Sequence, residues 1–142
     1  MQSFNLNLVS AAEIIKSLAD NLKRNKGSIV LFSTVAVKQG FPNHAIVSSA
    51  KGAVEGLTLA LAAEFAPNIR VNCIAPSLTK SKISEFILKN EKMADSIAKM
   101  HPLKRVGEGS DSSSVAKFLL SEESSWITGQ IFGVDGGRST VA

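Results

Sequence analysis

Apolar side chains in the first third of the chain change from helical to strand-like spacing. From about residue 4 to residue 25 they recur every three or four positions, which predicts an amphipathic helix; the stripe consists of Ala11, Ile14, Ile15, Leu18 and Leu22. Ser10 and Glu13 have capping-box spacing, which would start this helix later, and Lys26-Gly27 ends it. The continuous apolar run Ile29–Phe32 is typical of a parallel strand covered on both faces.

The middle of the chain predicts a long helix followed by a second strand. Gly40-Phe41-Pro42-Asn43 breaks the chain, and Asn43 is expected to cap a helix over His44–Ala66. Its apolar stripe consists of Leu57, Leu61 and Phe65, and a line of small residues consists of Gly52, Gly56 and Ala60. This small-residue line would let a second helix approach closely. Arg70–Ile74 reads as the second strand, ended by Pro76.

The last third predicts short helices and a closing strand. One or two helical segments are expected between about residues 82 and 100, and a polar link leads to a short helix around Ser114–Ser121. Gln130–Val134 reads as a third strand that runs into Asp135-Gly136-Gly137. Helices alternating with strands predict an α/β fold with parallel strands joined by right-handed crossovers.

Composition limits the classes of function. The chain has 142 residues, of which 44% are hydrophobic and 20% charged, as in one globular domain. Its apolar runs fall well short of the roughly 20 residues that span a bilayer, and no secretory signal is visible. Cys73 is alone, which excludes an intramolecular disulfide and a cysteine-based metal site. We therefore expect a cytoplasmic protein with no membrane partner and no metal. The chain contains no Tyr, so no phenol can serve as an acid or base.

The positive charge does not by itself indicate a nucleic-acid partner. The net charge is +4 at pH 7 and the pI is about 9.4, which permits such binding without requiring it. The basic residues are scattered and aromatic residues do not alternate with them. A solvated basic surface is the expected interpretation.

Four stretches, in this order and spacing, resemble the carboxyl-terminal half of a short-chain dehydrogenase/reductase. Residues 27–36 resemble the family's fifth strand and catalytic-serine segment, and residues 49–58 resemble the lysine end of its active-site helix. Residues 70–76 resemble its sixth strand, and residues 127–137 resemble its closing strand. The resemblance implies three strands of a doubly wound Rossmann-type parallel sheet, with residues 1–142 forming a single partial domain.

The resemblance also assigns candidate catalytic residues. In the family a Tyr transfers the substrate proton, a Lys binds the nicotinamide ribose and lowers the Tyr pKa, a Ser binds the substrate oxygen, and an Asn holds a relay water. The matching positions hold Val47, Lys51, Thr34 and Asn7. Valine cannot transfer a proton. His44 precedes Val47 by three residues on the same helix face, so it is either a substitute proton carrier or a surface residue of the first turn.

The resemblance implies NAD or NADP as cofactor, contacted by Lys51, Pro76, Ser77 and Ser81. Ser77 stands where the family usually has Gly. The family's Gly-rich turn for the pyrophosphate has no match in this chain, because Gly133, Gly136 and Gly137 open no helix. The interpretation is a truncated oxidoreductase of alcohols and carbonyls that is not expected to turn over a small-molecule substrate alone.

Three strands without their neighbour imply a partner. The first strand would have an unpaired apolar edge, which favours association. We expect a homo-oligomer, dimer or tetramer, through the helix that carries Gly52, Gly56 and Ala60, or else a complementary N-terminal fragment. The alternative function is a non-catalytic oligomerisation or scaffold subunit.

Overall fold

The computed structural model describes residues 1–141. Its helices are α1 (Gln2–Phe4), α2 (Ser10–Arg24), α3 (Ala45–Phe65), α4 (Glu85–Leu88), α5 (Glu91–Lys99) and α6 (Gly109–Leu120). Its strands are β1 (Ser28–Phe32), β2 (Arg70–Pro76) and β3 (Ile131–Val134). A π-helical turn covers Asn5–Val9, and 3₁₀ turns cover Val35–Val37 and Glu122–Ser124.

The strands form one parallel sheet in the order β1-β2-β3. Ile29 lies opposite Val71, and Cys73 lies opposite Ile131. The central strand β2 is buried from Val71 to Ala75, as expected for a parallel strand with helices on both faces. The predicted α/β architecture is confirmed.

Helices cover both faces of the sheet. Ile29 and Val71 pack with Ile15 of α2 and Phe65 of α3 in the main hydrophobic core. The neighbouring Ser28 instead donates a hydrogen bond of 2.7 Å to the backbone oxygen of Leu119 in α6. Successive strand residues point to opposite faces, so α2 and α3 lie on one face and α6 on the other.

The first helix has close to its predicted extent and contains a π turn. Helical backbone angles continue from Phe4 through Val9 and Ser10, so α1, the π turn and α2 form one rod that ends at Arg24. Ser10 lies within this rod, and its hydroxyl donates to the backbone oxygen of Asn5 at 2.8 Å. The capping box suggested by Ser10 and Glu13 is therefore wrong, because the hydroxyl bonds backward into the helix.

Two other helix starts differ from the sequence-based expectation. Asn43 does not cap α3: it adopts a left-handed φ of 63°, and His44 holds the cap position without a side-chain bond. Helix α6 begins at Gly109, not near Ser114. A capping box explains that earlier start, because Glu108 and Asp111 satisfy each other's backbone N–H groups.

Two surface features, the outer edge of β1 and the apolar helix α3, bear on which partners the chain could contact. Within residues 1–141 no strand pairs with the outer edge of β1, and the Phe32 side chain at its end is 44% exposed. Helix α3 is long and apolar enough, by length and composition alone, to cross a membrane. One such helix is weak evidence, and α3 buries Ala50, Val54, Thr58, Ala62 and Phe65 within this domain.

Candidate active site

A cavity of about 530 Å³ opens at the carboxyl ends of the strands. The segment after β1 contributes Ser33 to Ala36, and the segment after β2 contributes Pro76 to Thr79. The remaining lining residues are Phe41, His44, Ser81, Ile83, Ser84, Ile87, Ile97, Met100 and Arg138. Ligands of open parallel sheets bind outside this edge, so the cavity is the leading candidate site. Five of the sequence-predicted residues lie together here: Thr34, His44, Pro76, Ser77 and Ser81.

Thr34 is positioned by the turn that follows β1. Its backbone is extended, and its Oγ1 accepts a hydrogen bond of 3.3 Å from the Ala36 amide, which caps the short 3₁₀ turn. An accepting oxygen keeps its own O–H available as a donor. Thr34 can therefore donate to a ligand oxygen in the cavity while it holds the turn.

His44 faces the same cavity from the start of α3. Its Nδ1 lies 2.7 Å from the backbone oxygen of Pro42. A carbonyl only accepts, so the neutral ring carries its proton on Nδ1 and leaves Nε2 as an acceptor. The Phe41 and His44 rings are tilted by 57° with centroids 5.6 Å apart, which restricts the orientation of the imidazole.

Ser77 is held by a buried histidine. Its hydroxyl lies 2.8 Å from Nε2 of His101, whose Nδ1 lies 2.8 Å from the backbone oxygen of Ile97. Because that carbonyl fixes the proton on Nδ1, the Ser77 hydroxyl donates to Nε2. His101 is only 2% exposed, so the pair ties the loop after α5 to the end of β2.

Asp135 organises the turn after β3. Its carboxylate accepts hydrogen bonds of 2.9 Å from the amides of Gly137 and Ser139. Burial raises the pKa of this carboxyl, but bonds from the Ser139 hydroxyl and these amides outweigh burial and leave the pKa below its ordinary value. Gly136 and Gly137 have φ of 61° and 85°, angles that side chains rarely tolerate.

Lys51 lies beside the cavity without lining it. Its Nζ donates a hydrogen bond of 2.9 Å to the backbone oxygen of Phe32, at the carboxyl end of β1. Burial lowers the pKa of this ammonium group from its ordinary value, an effect that the Cys73 thiol partly offsets. Lys51 therefore presents a cation at the sheet edge, beside Phe32, which lies two residues before Thr34.

Asn7 does not line the cavity either. It lies in the π turn, and its Nδ2 donates 2.8 Å to the backbone oxygen of Ser3. Single π turns inside α-helices occur frequently at functional sites, and this one packs against α3. A role for Asn7 stays a prediction.

Ser81, another sequence-predicted cofactor contact, has a local hydrogen-bond partner. The Ser81 hydroxyl lies 3.2 Å from that of Ser84, within the turn that starts α4. Burial raises the pKa of the Cys73 thiol to about 11, which disfavours the reactive thiolate at physiological pH. Among residues 1–141 no three His, Cys, Asp or Glu side chains cluster as a metal site would require.

Comparison with known proteins places this arrangement in a family. Residues 1–139 match the family model described as enoyl-(acyl carrier protein) reductase. The chain belongs to the short-chain dehydrogenase/reductase family. Human dehydrogenase/reductase SDR family member 4 is 35% identical over 138 residues, which cover 96% of this chain and 50% of that protein.

Solved structures of the family share the fold. A short-chain dehydrogenase/reductase from Mycobacterium ulcerans has a TM-score of 0.89 at 31% identity, over 96% of this chain and 50% of that one. A gluconate 5-dehydrogenase from Burkholderia cenocepacia, in complex with NADP and tartrate, has a TM-score of 0.89 at 25% identity, over 96% and 54%. The chain therefore spans about half the length of the relatives that it matches.

Sequence reasoning missed three residues of this short-chain dehydrogenase/reductase site. Phe41 appeared only as part of a chain break, and neither His101 nor Arg138 was predicted to belong to the site. The signal for Arg138 was its place directly after the Gly136-Gly137 turn. Its direction into the cavity depends on that turn, which only the folded backbone reveals.

Proposed function

We propose that this chain supplies the nicotinamide and substrate end of an NAD(P)-dependent oxidoreductase that interconverts alcohols and carbonyls. One observation carries the proposal: Thr34, His44, Pro76, Ser77 and Ser81, from separate segments of the chain, line one cavity at the carboxyl edge of a parallel sheet. Membership of the family supports the reaction class. NADP in a related structure supports the cofactor class.

The available donors fit one end of such a cofactor. Lys51 offers an ammonium group at the sheet edge and Thr34 offers a hydroxyl, and both groups suit a ribose and a carboxamide. The Gly-rich turn that would take the pyrophosphate has no counterpart in the sequence. When bound, the nicotinamide supplies or accepts the hydride. The adenosine end is therefore proposed to rest on a dinucleotide-binding half that lies outside these residues.

His44 is proposed to carry the substrate proton. Val47 occupies the position of the family's Tyr and has no transferable proton. His44 lies in the cavity wall with Nδ1 held by Pro42 and Nε2 able to accept or return a proton. Thr34 is proposed to hold the substrate oxygen, and Asn7 to support a relay water from the π turn.

The test is a titration of the purified chain with NADH and NADPH, followed by cofactor fluorescence, with oligomeric state recorded on the same sample. Saturable binding that is weakened by Lys51→Met, and not by the exposed Lys89→Met, supports the proposal. In an assembly that contains a dinucleotide-binding half, His44→Ala should abolish turnover. Unchanged turnover would exclude His44 as the proton carrier.

A non-catalytic oligomerisation subunit is the second candidate. The exposed side of α3 favours this function. A Cβ atom added at Gly56 would meet no other atom within 4 Å, and the side chains of Ile46 and Leu59 are 69% and 52% exposed. Large exposed apolar surfaces indicate interfaces. This function predicts tight association that Gly56→Glu disrupts, without affinity for either dinucleotide.

The expected cytoplasmic location remains a prediction, which cell fractionation would test.

A further inference from the structure

Arg138 places a positive charge in a cavity that lacks a negative one. Of the residues that line the cavity, Arg138 is the single Lys or Arg, and no Asp or Glu is among them. The ion pairs found within residues 1–141 join other groups: Lys80–Glu108, Lys89–Glu85, Lys99–Asp95 and Arg105–Asp111. The guanidinium therefore has no carboxylate partner within the described part of the chain.

The nearby carboxylate of Asp135 does not neutralise Arg138. Its two oxygens accept hydrogen bonds from the Gly137 amide, and from the amide and hydroxyl of Ser139. Asp135 borders a different cavity, of about 310 Å³, together with Arg105 and Asp111. The Asp135 charge stabilises the turn, and the turn carries Arg138 to the larger cavity.

Phe41 holds the guanidinium in place. The Cζ atom of Arg138 lies 5.1 Å from the centroid of the Phe41 ring, within the range of a cation–π interaction. A cation–π contact restricts the position of the guanidinium, and the N–H groups that point away from the ring remain available as donors. A planar fork of N–H donors matches a carboxylate, which accepts two parallel hydrogen bonds.

The rest of the wall shows what else the ligand needs. The apolar side of the cavity consists of Ile83, Ile87, Ile97 and Met100. Thr34 and His44 supply uncharged polar groups, in contrast to the charged guanidinium of Arg138. The Phe41 ring contacts both Arg138 and His44. A ligand with an anionic group and an apolar body satisfies each part of this wall.

We propose that the cavity selects substrates bearing a carboxylate, and that Arg138, held over the Phe41 ring, is the residue that binds it. This inference rests on the proposed function because it assigns the cavity to the substrate. It adds a specificity-determining residue that lies outside the family's catalytic positions. The carboxylate binds without chemical change, and the reacting carbonyl or hydroxyl lies elsewhere in the same molecule.

The test uses sodium hexanoate and its neutral counterpart hexanamide, titrated into the full 142-residue chain without any dinucleotide. Binding is followed by two-dimensional ¹⁵N NMR, including the Arg138 side-chain Nε–H signal. Hexanoate should shift this signal saturably, and hexanamide should bind at least tenfold more weakly. Equal binding of the two compounds would overturn the proposal.

Single substitutions test whether Arg138 is the residue that binds hexanoate. Arg138→Gln should weaken hexanoate binding at least tenfold, and Arg138→Lys should restore only part of it because an ammonium group lacks the planar fork. The matched control is Lys82→Gln, an exposed cation in the neighbouring loop that does not line the cavity. An equal loss with Lys82→Gln would show a diffuse charge effect and contradict the proposal.

Two further arms complete the test. Phe41→Leu keeps an apolar side chain but removes the ring, so it should weaken hexanoate binding even if Arg138→Gln fails to fold. Unchanged binding in a folded Phe41→Leu protein would contradict the role given to the Phe41 ring. The hexanoate titration contains no dinucleotide. A failure to prefer hexanoate over hexanamide would therefore contradict the carboxylate proposal without affecting the NADH and NADPH titration, which tests the proposed function separately.

Discussion

The Lys51 ammonium group lies 2.9 Å from the backbone oxygen of Phe32. This bond ties α3 to the carboxyl end of β1 and keeps a cation at the mouth of the sheet-edge cavity. A single backbone oxygen leaves the other N–H donors of the ammonium group for a ligand. The bond gives Lys51 a local structural role in addition to its proposed ribose-binding role, and measurements of stability and of binding on one variant distinguish the two.

Lys51→Met should weaken binding of a nicotinamide ligand more than it weakens the fold. A hydrogen bond from a charged donor contributes about 1.5–3 kcal/mol, so the dissociation constant should rise about tenfold or more. The dissociation constant is measured by calorimetry or fluorescence on the ligand-binding form of the protein. Lys89→Met, which removes an exposed cation directly after α4, is the control and should change the dissociation constant by less than about twofold.

Ser77→Ala should destabilise the protein through His101. The substitution removes the donor to a buried Nε2 atom, and an unsatisfied buried acceptor costs about 1–3 kcal/mol. Urea unfolding measures the free energy. Ser113→Ala, on the exposed side of α6, should stay within about 0.5 kcal/mol; equal effects of the two changes would contradict the role given to the Ser77–His101 pair.

Arg70→Met should release the end of α6 from the sheet. The Arg70 guanidinium donates to the backbone oxygens of Leu119 and Ser121 and to the Ser124 hydroxyl at 2.7–2.9 Å. Loss of these charged donors should lower the free energy of unfolding by about 2–3 kcal/mol. The exposed Arg24→Met should cost less than about 1 kcal/mol, and hydrogen exchange should show the Arg70 effect concentrated in residues 119–125.

Cys73 should make stability fall at alkaline pH. Folding raises the thiol pKa from 9.0 to about 11, so the unfolded chain releases this proton first. The contribution is full below about pH 9 and is lost as pH rises through about 11. Unfolding curves at pH 8 and 10.5 should show the difference between the parent and Cys73→Ala narrowing as pH rises. A constant difference would contradict the burial of the thiol.

The sheet was predictable because its strands carry strong local signals. Ile29–Phe32 is an apolar run after Gly27, and Arg70–Ile74 carries the apolar residues Val71, Cys73 and Ile74 before Pro76. Burial on both faces leaves such segments few alternatives to a strand. Helix starts were less predictable. At α6, Glu108 and not a serine provides the cap, and at α3 the left-handed Asn43 precedes a helix that has no side-chain cap.

The candidate site was predictable only in part. Thr34, His44, Pro76, Ser77 and Ser81 follow the ends of parallel strands or precede α3 and α4, and they line one cavity. Their catalytic and cofactor-binding roles stay predictions. Arg138 and His101 reach their places through the Asp135 turn and a buried hydrogen bond to Ser77. The Ser77–His101 bond joins residues far apart in sequence, so no local pattern indicates it. The Asp135 turn is local, but the direction in which it carries Arg138 is visible only in the folded chain.

The central claim is that this chain holds the nicotinamide end of a dinucleotide site and lacks the adenosine end. The most direct test compares nicotinamide mononucleotide with adenosine monophosphate by two-dimensional ¹⁵N NMR of the 142-residue chain. We predict saturable shifts for nicotinamide mononucleotide at Thr34, Lys51 and Ser77, and none for adenosine monophosphate. Equal shifts from both nucleotides, or shifts from adenosine monophosphate alone, would contradict it.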